Sequence, residues 1–396
     1  MSPLLASPSP PRPRLPHKFF AWFLVAAVFV TSAAFVARSL LIRQMRLPRL
    51  TVDQGSNVIA VAIAPDGKTI FAGSDPTRDA LRTSRNKSAD VFVYQAASGR
   101  LIRRLHGFYW RSNAVAPSPD GQTVLASGYA HSDDPGPKTF QASQVFAWNW
   151  RSGQRLWGIA GDMPLSYSPE GRFIGMGDGI HTASDGRLVF GIPRGLSSDS
   201  QIAFSPDGKL FGFIGSGTLN KKGFADSDDG DRVYNSTSRL HLWHTDTGKE
   251  AKDFPFTRVR AFDMARNGQW LVIAADWGGM GGGTDGSVVR RVDITTGAVS
   301  WTRERSYNAP LHDPDAALNS VVISPNGKYV ITQSPSSQLI VLDADTGREL
   351  FRPFAHQDSG EPAWGLPGGL AFSADGRTLV SRCGSRVLFW DASSLR

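Results

Sequence analysis

The sequence predicts an all-β fold, a closed seven-bladed β-propeller of four-stranded antiparallel blades, preceded by one N-terminal transmembrane helix. Three observations predict the propeller: a tight turn that recurs along the chain, strand-like runs that surround each copy of that turn, and a last repeat that lacks its final run. A separate apolar segment near the N-terminus predicts the helix.

The repeated turn has the pattern Ser/Ala-Pro-Asp-Gly, with substitutions, and is set between apolar runs. Proline presets φ at the first corner, and Asp or Asn tolerates an unusual φ before a glycine that adopts positive φ freely. The seven copies begin at Ala64, Ser118, Ser168, Ser205, Ala265, Ser324 and Ser373.

Strand-like runs stand on both sides of most of these turns. In the first repeat, residues 58–63 precede the turn and residues 69–72 follow it, which is the signature of a hairpin. In five repeats a third run ends in a second glycine turn, as residues 91–94 do before Gly99, and a fourth run follows. Each repeat is therefore predicted to be a four-stranded antiparallel meander, with strands a to d.

The ends of the chain predict how the repeats stack. A single four-stranded sheet cannot bury both faces alone, so the repeats must stack radially or in a row. The last repeat stops at residues 391–396, where strand d should begin, while an unassigned run, residues 50–52, precedes the first repeat. If residues 50–52 pair with the last blade, no sheet edge stays exposed. We therefore predict a closed propeller over residues 49–396.

Three features resemble the WD-repeat and related bacterial propeller families. They are the repeated turns, the strand that ends at Trp243 and is followed by Gly248, and the closing pair Trp390-Asp391. The resemblance spans roughly residues 49–396. It implies the seven-bladed fold and identifies no subfamily, because a Trp-Asp pair ends strand c only once. The Gly-His pair of the WD-repeat family is absent, and His106 and His356 fall near its place.

The N-terminal segment is predicted to enter a membrane. Residues 19–37 contain no charged side chain, and a helix of that length crosses the roughly 30 Å hydrocarbon core. The predicted organisation is a disordered Pro/Ser-rich tail over residues 1–18, a transmembrane helix or signal-anchor over 19–42, and a basic linker over 43–48. Cleavage after a signal peptide stays open, since Ser32-Ala33-Ala34 resembles a cleavage site.

Charge is concentrated at this end of the chain. Residues 1–50 hold seven Lys and Arg and no acid, and removing those seven from the total of 43 leaves 36 basic against 35 acidic residues. The pI of about 9.7 is thus a property of the membrane flank and gives no support for nucleic-acid binding. A short basic tail before a large domain favours a single-pass protein with an extracytoplasmic propeller, and the reverse orientation stays open.

Successive loops of a meander alternate between its two ends. The a–b and c–d turns share one end, here called the turn end, and the b–c and d–a connections share the other, here called the loop end. The spacing from the a–b glycine to the c–d glycine ranges from 20 residues in the sixth repeat to 40 in the fourth. Variable loops on a rigid scaffold commonly carry binding residues, so function is expected at the loop end.

Aromatic residues collect in the predicted loops of that end. Exposed Trp and Tyr dominate interface energies, so these residues are the candidate face for another protein; the alternative is that they plug the mouth of the ring. The five candidates are Tyr109, Trp110, Trp277, Tyr307 and Trp364.

Three predicted loops of the same end pair histidine with carboxylates. If they converged, imidazole and carboxylate groups could hold a divalent metal, although each pair is also ordinary for a polar loop. The candidates are His131, Asp133, His312, Asp315, His356 and Asp358. The glycine-rich run over 278–283 is followed by a strand and not by a helix, which argues against nucleotide binding.

We therefore expect a non-catalytic, membrane-anchored propeller that acts as a protein–protein interaction scaffold, without a cofactor or bound nucleic acid. The bilayer is expected to contact residues 19–42. No nucleophile motif is present in the sequence, yet propellers can place catalytic residues one per blade. The alternative is therefore a propeller hydrolase, a lactonase or a metal-dependent enzyme that uses the His/Asp loops at the ring mouth.

Overall fold

The structure is a computed structural model. It describes residues 45, 47–75, 89–130, 143–161, 163–193, 201–215, 238–277, 286–306, 318, 320–334, 337–353 and 369–395, with the backbone alone at 109, 110, 130, 277 and 306. The chain divides into two units, Met1–Arg43 and Gln44–Arg396. Every described residue belongs to the second unit, so the predicted tail and transmembrane helix lie outside the description. Within the described ranges, no helix has both the length and the apolar character needed to cross a bilayer.

These residues form a seven-bladed β-propeller of four-stranded antiparallel blades, whose strands we number in chain order. The first strand, β1 (Leu50–Asp53), belongs to the last blade. Blade 1 contains β2 (Asn57–Ile63), β3 (Thr69–Asp75), β4 (Ala89–Gln95) and the first part of β5 (Leu101–Pro117). Blade 2 contains the second part of β5, β6 (Thr123–Ala130), β7 (Ser143–Asn149) and β8 (Gln154–Ala160).

The next two blades are shorter. Blade 3 contains β9 (Ser166–Tyr167), β10 (Phe173–Met176), β11 (Gly179–Thr182) and β12 (Leu188–Gly191). Blade 4 contains β13 (Ile202–Phe204), β14 (Leu210–Gly215), β15 (Arg239–His244) and β16 (Glu250–Asp253).

The last three blades complete the fold. Blade 5 contains β17 (Val259–Met264), β18 (Trp270–Trp277), β19 (Gly286–Asp293) and β20 (Val299–Ser306). Blade 6 contains β21 (Ser320–Ile323), β22 (Tyr329–Gln333), β23 (Leu339–Asp343) and β24 (Glu349–Phe351). Blade 7 contains β25 (Leu370–Phe372), β26 (Thr378–Cys383), β27 (Arg386–Asp391) and β1, and a short 3-10 helix, Ser393–Leu395, follows it.

One strand differs from the sequence prediction. The sequence placed Tyr109 and Trp110 in a loop between blades 1 and 2, whereas β5 runs through both blades without a break. Phe108 pairs with Ala89 of blade 1 and with Ala130 of blade 2, and bulges on its C-terminal side redirect the strand. The prediction was wrong because no Gly or Pro interrupts residues 108–116 and the aromatic residues favour extended backbone.

The first strand is held by the last blade. Leu50 is the register partner of Phe389 and Asp53 that of Arg386. On the other side, the Arg49 guanidinium donates to the carbonyl of Ala96 at 2.9 Å, in the c–d turn of blade 1. Leu50 and Val52 also lie against Gly99 of that turn, where a Cβ would not fit. Strand β1 therefore joins blade 7 and contacts blade 1.

The hydrophobic core lies between blades and not within them. Phe71 of blade 1 packs with Trp148 of blade 2, and Phe262 of blade 5 packs with Leu242 of blade 4. The same holds for blades 7 and 1, where Phe389 belongs to one cluster with Phe92. Each blade thus buries its two faces against its two neighbours, and burial of these apolar faces supplies the main driving force for the fold.

All seven a–b turns share one geometry. In blade 2, the Gly121 N–H donates to the Ser118 carbonyl at 2.9 Å, and Gly121 has φ +67°. The Ser118 hydroxyl accepts the N–H of Thr123 at 2.9 Å and so closes the hairpin. The same N–H to carbonyl bond recurs at the glycine of each other copy, at Gly67, Gly171, Gly208, Gly268, Gly327 and Gly376.

Strand d carries a β-bulge at the same position in each of blades 1 to 6. It follows the c–d turn directly, and one residue of strand d there has no register partner on strand c. The bulged residues are Ile102, Leu156, Val189, Ala251, Ser300 and Leu350. Strand β1, which does not arrive through a c–d turn, pairs without a bulge.

A partly buried carboxylate connects blades 5 and 6. Asp263 Oδ2 accepts the N–H of Ile323 in blade 6 at 2.7 Å, and Oδ1 accepts the N–H of Met264 at 2.9 Å. Burial raises the pKa of Asp263 to about 6, although these two hydrogen bonds and Arg266 favour the charged form. The contact between these blades is therefore sensitive to pH.

We expect Asp263 to lower the stability of the wild-type chain as pH rises. Because its folded pKa lies above the unfolded value of about 3.9, the folded state binds the extra proton, and the free energy of unfolding falls between about pH 4 and pH 6. In Asp263→Asn that fall should be smaller by about 2 kcal/mol. Urea unfolding at several pH values measures this, and an identical fall in both proteins would contradict it.

The register of β1 gives a second prediction. Val52 packs into the cluster between blades 7 and 1, whereas its neighbour Thr51 is exposed. Since alternate residues of a strand face opposite sides, Val52→Asp should lower the free energy of unfolding by about 2–4 kcal/mol and Thr51→Asp by less than about 0.5 kcal/mol. Equal effects of the two substitutions in urea unfolding would show that the register is wrong.

Candidate functional site

The residues predicted to form the site lie largely beyond the described part of the chain. Tyr109 and Trp110 lie in β5, where blade 1 passes into blade 2, and Trp277 is the last residue of β18. These three backbones belong to the loop end, and their side chains are not described. The remaining candidates, all outside the described residues, are Tyr307, Trp364, His131, Asp133, His312, Asp315, His356 and Asp358. The interaction face and the metal candidates therefore remain predictions.

Described polar side chains do mark the loop end, at the points where b strands end. Asp75 is the last residue of β3 and Gln333 the last of β22, while Asp276 and Arg382 are next to last in β18 and β26. Each follows a run of buried residues. Sequence reasoning missed this set, although a polar residue that closes an apolar strand is a readable signal.

In blade 1, a buried carboxylate lies beneath an exposed histidine. Asp90 Oδ1 is 2.8 Å from Nδ1 of His106, whose side chain is 69% exposed. The Ser74 hydroxyl accepts the Asp90 N–H and donates to the Asp90 carbonyl, both at 2.9 Å. Burial raises the pKa of Asp90, and His106 opposes that rise. Burial raises the pKa of Asp75 in the same way, and the nearby charge of Arg111 opposes that rise.

In blade 5, a buried ion pair has one free acceptor. Arg260 Nε lies 2.5 Å from Asp276 Oδ2, and the Asp276 side chain is 3% exposed. Burial raises the pKa of Asp276, and Arg260 opposes that rise. Asp276 Oδ1 has no hydrogen-bond partner among the described residues, and neither does the hydroxyl of Ser287, its register partner on β19. Both atoms are buried.

A buried arginine connects the last two blades with the first. Gln333 Nε2 of blade 6 donates to the Arg382 carbonyl of blade 7 at 2.8 Å. Arg382 Nη1 donates in turn to the Val58 carbonyl of blade 1 at 3.2 Å. Burial lowers the pKa of Arg382 to about 10. These contacts fix the relative positions of the three blades at the loop end, so Arg382 has a structural role.

A second histidine–carboxylate contact holds the short blade 3. His181 Nε2 lies 2.8 Å from Asp178 Oδ1, in the b–c turn, and Nδ1 lies 2.8 Å from the Gly186 carbonyl. Burial alone lowers the pKa of His181, but the Asp178 hydrogen bond, the Gly186 carbonyl and the Asp178 charge together outweigh it and raise the pKa. The His181 hydrogen bond also lowers the pKa of Asp178. The protonated imidazole suits this site because both nitrogens face acceptors.

One described group has the composition of a metal site. His241, Glu250 and Asp253 place one potential ligand atom each within 4.8 Å of one another. They lie on β15 and β16, in the outer half of blade 4, and not in the loops where metal ligands were predicted. His241 Nδ1 is 3.1 Å from Glu250, and Arg239 lies 3.0 Å from Asp253. His241 Nε2 is buried and has no hydrogen-bond partner among the described residues.

A cleft also opens at the turn end, between the a–b turns of blades 2 and 3. Its volume is about 440 Å³, and its lining includes Asp120, Tyr167, Glu170 and Arg172. The Ser118 hydroxyl holds the pKa of Asp120 below its usual range. The lining thus mixes apolar surface with groups of both charge signs, unlike the mostly apolar lining of typical small-molecule pockets.

We expect the His181–Asp178 contact to stabilise the fold most under mildly acidic conditions. Because the folded pKa of His181 is raised, its contribution is complete below the ordinary value of about 6.5 and is lost as pH rises through the folded value. The Asp178 contribution is lost only as pH falls below about 4. His181→Gln should thus lower the melting temperature more at about pH 5.5 than at about pH 9. A pH-independent difference would contradict this.

Comparison with known proteins supports the fold and goes no further. No protein-family model and no curated protein sequence matches the chain. Among solved structures, a chain of hydrazine synthase from Kuenenia stuttgartiensis is similar, with a TM-score of 0.59, 13% identity and coverage of 87% of this chain and 98% of that one. Similar folds occur in 1495 chains of known structure, so the architecture does not identify an activity. The comparisons establish a β-propeller.

Proposed function

We propose that this chain is a membrane-tethered β-propeller scaffold that binds another protein through its loop end and carries out no catalysis. The supporting observation is the difference between the two ends. At the turn end, the seven a–b turns share one hydrogen-bond geometry. At the loop end, the b–c connections range from two residues in blades 3 and 7 to 23 residues in blade 4. Variation confined to one end of a regular scaffold is typical of a binding face.

A closed ring is part of the proposal. Its support is that β1, from the start of the chain, pairs with β27 inside blade 7, and that blade 7 contacts blade 1. The Arg382 guanidinium donates to the Val58 carbonyl, and Gly67 lies against Ser373 in the neighbouring a–b turn. Closure removes the sheet edges that an open array exposes to aggregation. It also makes the loop end a continuous platform.

The membrane tether is proposed from the sequence. Residues 19–42 form the span, and the propeller lies on the extracytoplasmic side, because a short basic tail precedes a large domain. The linker of the proposed tether is residues 43–48.

A non-catalytic role fits the described polar groups better than the enzymatic alternative does. At the loop end, Asp90 contacts His106 and Arg260 contacts Asp276. These groups are used to fix the strand ends. The group of His241, Glu250 and Asp253 lies in the outer half of blade 4, away from the mouth. No described residue set supports a hydrolase at the mouth.

Site-specific photocrosslinking in the full chain tests the proposal. A photoreactive phenylalanine analogue at residue 110 or 364 should yield one discrete protein adduct in cells, whereas the same analogue at residue 267, in the a–b turn of blade 5, should yield none. Trp364→Ala should weaken capture from residue 110 about 30-fold if Trp364 is a hot spot. Adducts from residue 267 alone, or none from the loop end, would contradict the proposed face.

A further inference from the structure

The outer rim of blades 1 to 3 exposes large aliphatic side chains at one structural level. The bulged residues of their d strands are Ile102, Leu156 and Val189, with exposed fractions of 41%, 49% and 39%. Leu101 and Leu188, each next to a bulge, are 39% and 57% exposed. In blades 4 and 5 the same bulge position holds Ala251 and Ser300, although Val299, next to the blade 5 bulge, is 42% exposed, and in blade 6 it holds Leu350, which is half-buried. We call the five residues Leu101, Ile102, Leu156, Leu188 and Val189 the aliphatic rim.

Arginines lie in the segments that carry this rim, and those segments themselves contain no acid, although Asp185, Asp120 and Asp90 lie near enough to Arg187, Arg151 and Arg104 to interact with their charges. Residues 100–105, 151–159 and 187–191 contain six arginines and no Asp or Glu. None of the six forms an ion pair with a described residue. Asp185, close to Arg187, accepts the Thr182 hydroxyl and the Arg187 N–H, and no guanidinium.

The d strands of the opposite half of the propeller differ in charge. Each carries an acid, at Glu250, Glu304 and Glu349, and all three strands take part in ion pairs, Arg239 with Asp253 and Arg303 with Glu349. The rim of blades 4 to 6 thus carries charges of both signs. The rim of blades 1 to 3 combines a positive field with exposed aliphatic groups.

We propose that the aliphatic rim and its arginines dock the propeller onto a bilayer surface with anionic headgroups. This inference rests on the membrane tether of the proposed function. Aliphatic side chains that enter the interface, flanked by arginines that pair with lipid phosphates, are the combination that binds proteins to anionic membranes. A nucleic acid would need the arginines but not the aliphatic side chains.

The arginines are held in place for this role. Arg104 lies over the ring of Phe92 at 4.8 Å, and Arg155 lies over that of Phe146 at 4.7 Å. Both residues are exposed. The cation–π contacts orient the guanidinium groups along the rim, which lowers the entropy lost when they meet phosphate.

The start of the propeller lies beside this rim. Arg49 donates to the carbonyls of Ala96 and Ala97 in the c–d turn that leads into Leu101. The proposed membrane span ends at residue 42, seven residues before Arg49. Because the rim adjoins the c–d turns, docking leaves the loop end free for a partner.

The test compares, in the full chain, how closely two residues at the same bulge position of different blades approach the lipid. Leu156→Cys and Ser300→Cys, each made in Cys383→Ala, place the same fluorophore at the bulges of blades 2 and 5. The proteins are reconstituted in vesicles of phosphatidylcholine, with or without phosphatidylglycerol, that contain a headgroup-level quencher lipid. We expect strong quenching at residue 156 with phosphatidylglycerol, and weak quenching at residue 300 in either lipid.

Charge reversal supplies a matched control. Arg100, Arg187, Lys249 and Arg348 all follow the glycine of a c–d turn and are exposed. Arg100→Glu with Arg187→Glu should weaken docking about 20-fold or more, at about fivefold per arginine. Lys249→Glu with Arg348→Glu, the same change in blades 4 and 6, should leave quenching at residue 156 unchanged.

Several outcomes would overturn the inference. They are equal quenching at residues 156 and 300, equal quenching with and without phosphatidylglycerol, or equal effects of the two charge reversals. Shielding of residue 156 in lipid-free protein would point to contact between copies of the chain and would also overturn it. Failure of the chain to sediment with vesicles would disprove the tether, whereas loss of quenching in a chain that sediments disproves the rim alone.

Discussion

A four-stranded antiparallel sheet with two apolar faces cannot cover either face by itself, and the rest of this structure depends on that constraint. The blades meet it by packing against one another, so residues such as Phe71 and Trp148 form a core only when two blades are present. The first and last blades face the same requirement. Strand β1, from the start of the chain, therefore pairs with β27, near its end.

The same constraint separates the two ends of the propeller. Blades that stack at a regular spacing need turns of one geometry between their first two strands. The a–b turns provide this geometry. The other end is free to vary in length, and it gathers the buried polar groups at the b-strand ends. Some of these polar groups find partners without loop residues. Asp276 pairs with Arg260, and the Gln333 amide donates to the Arg382 carbonyl.

Local signals made part of the fold predictable. A turn such as 118–121 can be identified from four residues because proline and glycine restrict the backbone there. The continuity of β5 could not be predicted, because it depends on Phe108 pairing with strands of both blade 1 and blade 2. Some polar contacts escaped prediction because their partners are distant in sequence, as Arg382 and Val58 are, 324 residues apart. Others, such as Arg260 with Asp276, 16 residues apart, depend on the pairing of neighbouring strands. The d-strand bulges become visible only in the residue-by-residue pairing of strands c and d.

Hydrogen exchange on the full chain tests most directly the claim that blades are stable only through their neighbours and that β1 belongs to the last blade. The amides of Leu50–Asp53 should exchange as slowly as those of Arg386–Asp391, in one cooperative opening. Exchange of the β1 amides at the rate of an unstructured peptide, while β27 stays protected, would contradict the account.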